Sequence, residues 1–366
     1  MNDILARVYT GKFLIYFLIV FAAAGILPVR SSRAGAETGD IRFEQLSIDE
    51  GLSQSIVTCI TQDKYGFMWF GTEDGLNKYD GYEFTVVRHD PDNDKSMIYN
   101  HIISLCADKE GYIWIGTFLG GLDRLDPSTG DFFHFSNDPE DSATLSNNMV
   151  RVIYEDSHGN MWIGTDNGLN LLNRDAGDFK RYYHDPGDKY SLSSNRINAI
   201  CGGKEQTIWV GTEGGLDRFD LERETFKRFE AGPPGSGKLS SNSISAILRD
   251  SSGNIWVGTD GGGLNLFNRE KENFRWFMAD RDDPLSISSN SIKDIFEDRT
   301  GSLWIGTDGG GLEMLDREKM HFKHYVNDPD DPTSLSYDEI YAIFEDSTGV
   351  VWLGTYGGGI NKFDTK

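Results

Sequence analysis

The residues of this chain that could do chemistry are those that differ at equivalent places in a repeat. One such place follows a recurring asparagine (Asn100, Asn148, Asn195, Asn242, Asn290). It reads Ile56, His101, Met149, Arg196, Ser243, Ser291 and Glu339. Two residues further on, the chain reads Thr58, Ile103, Arg151, Asn198, Ser245, Lys293 and Tyr341. Between these two places stand uniform aliphatic residues: Ile102, Val150, Ile197, Ile244, Ile292 and Ile340. A set that mixes cations, an amide, a carboxylate and a phenol is what a site for a small polar molecule requires. His101, Arg151, Arg196, Asn198, Lys293, Glu339 and Tyr341 are therefore the ligand-binding candidates. Phe118 and Tyr356 join them, because they stand in turns where Asp or Glu is commoner and could stack on a sugar ring. The competing reading is a solvated channel with local packing around it. If the site reading holds, Arg196→Ala or Tyr356→Ala weakens ligand binding without unfolding the chain.

Other chemistries are less well supported. Glycoside hydrolysis needs two carboxylates about 5–9.5 Å apart, and among these positions only Glu339 is acidic. His101 and Glu339 sit in repeats that are not adjacent in the ring, so no catalytic residue is assigned. Three cysteines, Cys59, Cys106 and Cys201, form no Cys-x-x-C, which excludes a zinc ribbon or thioredoxin-type site. They share one parity of strand register and so point to the same side of their own repeats; free thiols are expected. Acidic loops such as residues 90–94 and 328–331 lack the spacing of a calcium loop, and Asp-Pro is turn chemistry; no metal is expected. The glycine-rich stretch 258–263 precedes no helix, so it is not a phosphate loop, and no cofactor is expected.

The elements that position these residues come from a long repeat. Seven of the eight tryptophans (Trp69, Trp114, Trp162, Trp209, Trp256, Trp304, Trp352) lie in Trp-x-Gly-Thr, 45 to 48 residues apart. A fixed period in that range indicates a solenoid, propeller or array. Each period reads as four short strands separated by turns, among them an Asp-x-x-Gly turn in six repeats. That arrangement is a propeller blade. The seventh repeat lacks its fourth strand, and a matching segment, residues 43–46, precedes the first repeat. The expected fold is thus all-β: a seven-bladed β-propeller with four strands per blade over residues 41–366, closed by the N-terminal strand, which would remove open edges. The fourth repeat departs from the pattern, with Gly203-Lys204-Glu205-Gln206 in place of Asp-x-x-Gly.

With 35 basic and 58 acidic residues the chain carries a formal charge of −23, which argues against nucleic acid as a partner. Residues 1–36 combine Arg7 and Lys12, an apolar run and Ala34-Gly35-Ala36, the pattern of an export signal; an uncleaved membrane anchor is the alternative. Export to the periplasm or the outer face of the cytoplasmic membrane follows.

The repeat Leu-Ser-x-Asn-x-Ile-x-x-Ile-x-x-Asp-x-x-Gly-x-x-Trp-[Ile/Val]-Gly-Thr-x-x-Gly-Gly-Leu resembles the two-component regulator propeller repeat, in seven copies from about residue 41 onward. The resemblance implies an exported sensor, binding a carbohydrate or another small polar ligand and acting through downstream signalling domains or a partner. Such receptors carry two propellers, and here there is one, so the chain reads as a fragment or a stand-alone sensor module. The rival expectations are a propeller enzyme (lyase or glycosidase) and a protein-interaction platform.

Overall fold

The computed structural model describes residues 41–204 and 206–365. The export signal read in residues 1–36 lies outside them. The described residues form seven separate four-stranded antiparallel sheets, one per blade. Blade 5 illustrates how the sequence makes one. Its inner strand Ile244–Arg249 is followed by Ile255–Thr259, Leu264–Asn268 and the outer strand Asn273–Phe277. Asp250 ends the inner strand and accepts the Asn254 amide at 2.8 Å, while Gly253 takes a φ of 82°, a conformation that an L side chain resists.

The second strand of every blade is buried along its central residues because neighbouring blades cover both faces. In blade 5 it carries Trp256, which packs against Ile292, Ile295, Leu303 and Ile305 of blade 6. A Cβ at Gly258 would lie 2.6 Å from Ile292 Cγ2; the glycine of Trp-x-Gly-Thr is there so that the blades can approach. In six blades the tryptophan Nε1 donates to the aspartate of Asp-x-x-Gly, at 2.8–3.1 Å. The third strands add a second recurring device. Asn77, Asp123, Asn170, Asp217, Asn265, Glu313 and Asn361, all fully buried, accept a backbone amide from the segment entering the inner strand. The central mouth therefore rests on fixed backbone.

The expected closure by the N-terminal strand needs correction. Glu44–Leu46 does pair with Ile360–Asp364 and takes the outer place in blade 7. Yet no sheet among the described residues is closed by hydrogen bonding, and each keeps an inner and an outer edge. The ring is held by apolar contacts between blades: Trp352, Ala342 and Ile360 of blade 7 pack on Val57, Ile60 and Phe70 of blade 1. Propellers leave short protected edges instead of abolishing them.

All seven inner strands contain a β-bulge at the same place. The pairing skips from Val57 to Cys59, Ile102 to Ser104, Val150 to Val152, Ile197 to Ala199, Ile244 to Ala246, Ile292 to Asp294 and Ile340 to Ala342. The bulge reverses side-chain parity, so Val57 and Ile60 share one cluster despite their odd separation. The three cysteines all follow their bulges and are free. Cys59 packs toward blade 2 and Cys106 toward blade 3, the common orientation that register parity gives. Burial pushes Cys59 and Cys106 up to about 12 and Cys201 to about 11.

Candidate functional site

The skipped residues are Thr58, Ile103, Arg151, Asn198, Ser245, Lys293 and Tyr341, which are the second variable set of the sequence. A bulge residue is freed from the ladder and re-aimed, and here it stands on the innermost strand of its blade. Sequence reasoning found these seven positions by their variability; the bulge that turns them toward the channel is a tertiary fact.

A third position completes the mouth, and its acids were missed as site residues. The residue after Trp-x-Gly-Thr is Glu73, Phe118, Asp166, Glu213, Asp260, Asp308 or Tyr356. In each of blades 2 to 7 its amide, or that of its near equivalent, bonds the carbonyl of the residue after the recurring asparagine, as with Phe118 to His101 at 2.9 Å and Tyr356 to Glu339 at 3.1 Å. The mouth therefore holds Glu73, Asp166, Glu213, Asp260 and Asp308 besides Glu339, which corrects the count of one carboxylate. The signal was present: five of the seven residues after Gly-Thr are acidic.

Across three blade junctions these acids meet donors; at a fourth His101 Nε2 lies 4.0 Å from Glu73 Oε1, beyond hydrogen-bond reach. Arg196 Nε lies 3.2 Å from Asp166 Oδ1, Ser243 Oγ donates to Glu213 at 2.9 Å, and Ser291 Oγ to Asp260 at 2.7 Å. Two further positional pairs, Phe118 with Met149 and Tyr356 with Ile56, are apolar, and the latter two residues form a backbone bridge. The remaining pair is Asp308 with Glu339, acid with acid. Both raise the local negative potential at Tyr341.

Each predicted residue can now be placed. Arg151 donates to Asp166 at 2.8 Å. Asn198 bonds Glu213 at 3.2 Å and the Ile244 carbonyl at 3.0 Å. Phe118 stacks on His101, centroids 4.9 Å apart; both are thus held in a local pair. Lys293 lies 2.8 Å from Asp308 and its ammonium sits 5.2 Å from the Tyr341 centroid. Burial works against the Lys293 charge, but Asp308, Tyr341 and Asp260 outweigh it and hold its pKa above the ordinary value. Tyr341 stacks on Tyr356, centroids 5.1 Å apart, and burial raises its phenol. Lys293, Glu339, Tyr341 and Tyr356 thus gather at the junction of blades 6 and 7 with Asp308. Arg151, Arg196 and Asn198 gather at blades 3 to 5, and His101 with Phe118 at blades 1 and 2.

The acidic loops outside the mouth use their carboxylates as turn caps: Asp90, Asp138, Asp185, Asp280 and Asp328 each accept the amide two residues ahead. Among the described residues no group of three His, Cys, Asp or Glu is placed to hold a metal ion.

Comparison with known proteins agrees with this architecture. The model of the two component regulator propeller family matches seven times, at residues 51–74, 96–118, 144–167, 191–214, 238–261, 286–309 and 334–357. The extracellular domain of a putative hybrid two component system from B. thetaiotaomicron is 30% identical with a TM-score of 0.78, over 89% of this chain and 42% of that one. A histidine kinase P4 from Formosa agariphila is 44% identical over 62 residues, 17% of this chain and 4% of the kinase. The chain spans less than half the length of these relatives. Virginiamycin B lyase from Staphylococcus aureus, at 14% identity and a TM-score of 0.64 over 89% of this chain and all of the lyase, shares the fold alone. Seven matching repeats, one on each blade of the ring, make this chain a member of the two component regulator propeller family.

Proposed function

We propose that this propeller is the ligand-sensing part of a two-component-type signalling protein and that it binds a small polar ligand of carbohydrate type at the junction of blades 6 and 7. The propeller is an exported domain, extracellular or periplasmic, like the B. thetaiotaomicron extracellular domain to which it is similar. The observation that carries the ligand reading is the single mismatched pair in the mouth. Four junctions set a donor-bearing side chain opposite an acid and two are apolar, whereas Asp308, itself held by Lys293, stands opposite Glu339 by position. The Glu339 carboxylate has no hydrogen-bond donor among the described residues, while the Tyr341–Tyr356 stack stands beside it and Lys293 is held by Asp308 at the same junction. A sugar hydroxyl is a donor that a carboxylate accepts, and a tyrosine face suits the apolar face of a pyranose.

The reading is of a binding module that reports occupancy to a signalling partner and not of a catalyst. Two acids at one junction give the glycosidase alternative its best place, so the test must separate the two. Purified protein is screened by thermal shift against oligosaccharides, and hits are titrated calorimetrically with product analysis. A saturable ligand that is returned intact supports the sensor. Tyr356→Ala and Glu339→Gln then weaken binding about 10-fold, which is one lost hydrogen bond or stacking contact of about 1.4 kcal/mol. Arg196, already held by Asp166 and Glu213, should matter less than the sequence suggested. Turnover of the ligand, or unchanged affinity in both variants, overturns the proposal.

A further inference from the structure

Blade 4 breaks the aspartate–tryptophan bond that the other six blades make. Gly203 replaces the aspartate, and Trp209, only 4% exposed, has no acceptor for its Nε1 among the described residues. Trp209 instead lines a cavity of about 710 Å³.

The neighbouring blade makes the gap wider. Three blades carry an arginine just after the third strand: Arg174, Arg269 and Arg317. In blades 3 and 6 this arginine bridges two carboxylates. Arg174 reaches Asp108 of blade 2 at 2.9 Å and Glu155 at 3.0 Å. Arg317 reaches Asp250 of blade 5 at 3.0 Å and Glu297 at 2.7 Å. By the same geometry Arg269 of blade 5 would reach an aspartate at 203 and a glutamate at 249. The chain has Gly203 and Arg249 there. Among the described residues Arg269 is left with one bond, to the Gly253 carbonyl at 3.2 Å, and lines the same cavity as Trp209. Two departures from the repeat, Gly203 and Arg249, thus leave both of its carboxylates out and keep the two donors.

The cavity is basic in an acidic protein: among the described residues seven Lys and Arg side chains line it against Asp220 and Glu230. Part of that charge is spent. Arg228 holds carbonyls at Ser191 and Asp188, Arg218 and Lys227 share Glu272, and Arg223 pairs with Asp220. Arg269, Lys189 and Lys204 have no carboxylate partner among the described residues. Trp209, Phe226, Phe267 and Tyr190 supply apolar wall.

We infer that blade 4 carries a lateral binding site for a small oxyanion, a carboxylate- or sulfate-bearing ligand, whose oxygen takes the place of the missing aspartate between Trp209 Nε1 and the Arg269 guanidinium. The site is separate from the mouth proposed above and does not depend on it. Its size falls in the usual range for small-molecule pockets, about 300–1,000 Å³, so the anion can be part of a larger body lying on the aromatic wall.

The test is calorimetric titration of the full chain, at constant ionic strength in chloride, with sodium sulfate, inorganic phosphate, acetate and trigalacturonate. Saturable one-to-one binding of at least one probe is expected. Preference for sulfate or phosphate points to a free inorganic anion, and preference for trigalacturonate over acetate to an acidic saccharide. Arg269→Gln should lower affinity about 10- to 100-fold, the loss of a hydrogen bond to a charged group, whereas Arg317→Gln in blade 6, where the carboxylates are present, should leave it unchanged. If no probe saturates, if Arg269→Gln binds like the parent, or if Arg317→Gln loses as much, the inference is wrong.

Discussion

The bond between tryptophan and aspartate can be weighed by removing the aspartate in two blades where it holds different partners. Asp63 accepts Trp69 Nε1 at 2.8 Å and the amides of Tyr65 and Phe67. Asp250 makes the corresponding bonds to Trp256 Nε1 at 3.0 Å and to Asn254, and in addition takes Arg317 at 3.0 Å. The turn amides can turn to water after truncation, but a buried indole N–H cannot, and leaving it unsatisfied costs about 1–3 kcal/mol. Asp63→Ala should therefore lose about 2 kcal/mol. Asp250→Ala also strands a guanidinium whose side chain is 27% exposed. Breaking a buried pair from one side costs about 3–5 kcal/mol; the partial exposure of Arg317 and its remaining bond to Glu297 place the expectation near the lower end, about 3 kcal/mol. Urea unfolding of parent and both variants at pH 7, followed by tryptophan fluorescence, measures the difference. The reasoning fails if Asp250→Ala is no more destabilising than Asp63→Ala, or if either loses under about 1 kcal/mol.

Asp294 accepts the amides of Ile295 and, from blade 7, Ile343, both at 2.8 Å, and burial pushes its pKa up to about 7. A carboxyl raised on folding opposes stability as pH climbs from its unfolded value of about 3.9 through 7, so Asp294→Asn should gain stability relative to the parent between pH 5 and pH 8; a difference that does not change with pH refutes it. The three thiols, raised to about 11–12 by burial, should react with a thiol reagent at pH 8 only after denaturation. Fast labelling of the native protein would contradict their placement.

Much of the fold is legible because a propeller blade is written locally. Gly-Thr after each tryptophan, Asp-x-x-Gly between strands, and the Leu-Ser-x-Asn entry each fall within a few residues, and each governs backbone within the same few residues. Strand number and order follow from repeating that unit seven times. The closure was misjudged because counting strands says which sheet a strand joins, not whether any sheet seals the ring. The mouth was half legible. Variability singled out Lys293, Glu339, Tyr341 and Tyr356, but Asp308 looked like an ordinary turn residue, and nothing local pairs it with Glu339, 31 residues away in the next blade.

The sequence by itself determined the seven blades and the tryptophan wedges, since periodicity is a property of the chain as written. Tertiary structure decided which side chains meet. It set one bulge per inner strand that aims the variable residues inward, and it set the junction pairs that leave Glu339 without a donor. It also brought Trp209 of blade 4 and Arg269 of blade 5 to the wall of one cavity, where the repeat's two carboxylates give way to Gly203 and Arg249. Those meetings join residues roughly 30 to 60 positions apart on different blades, and only the packing of one blade on the next brings them together.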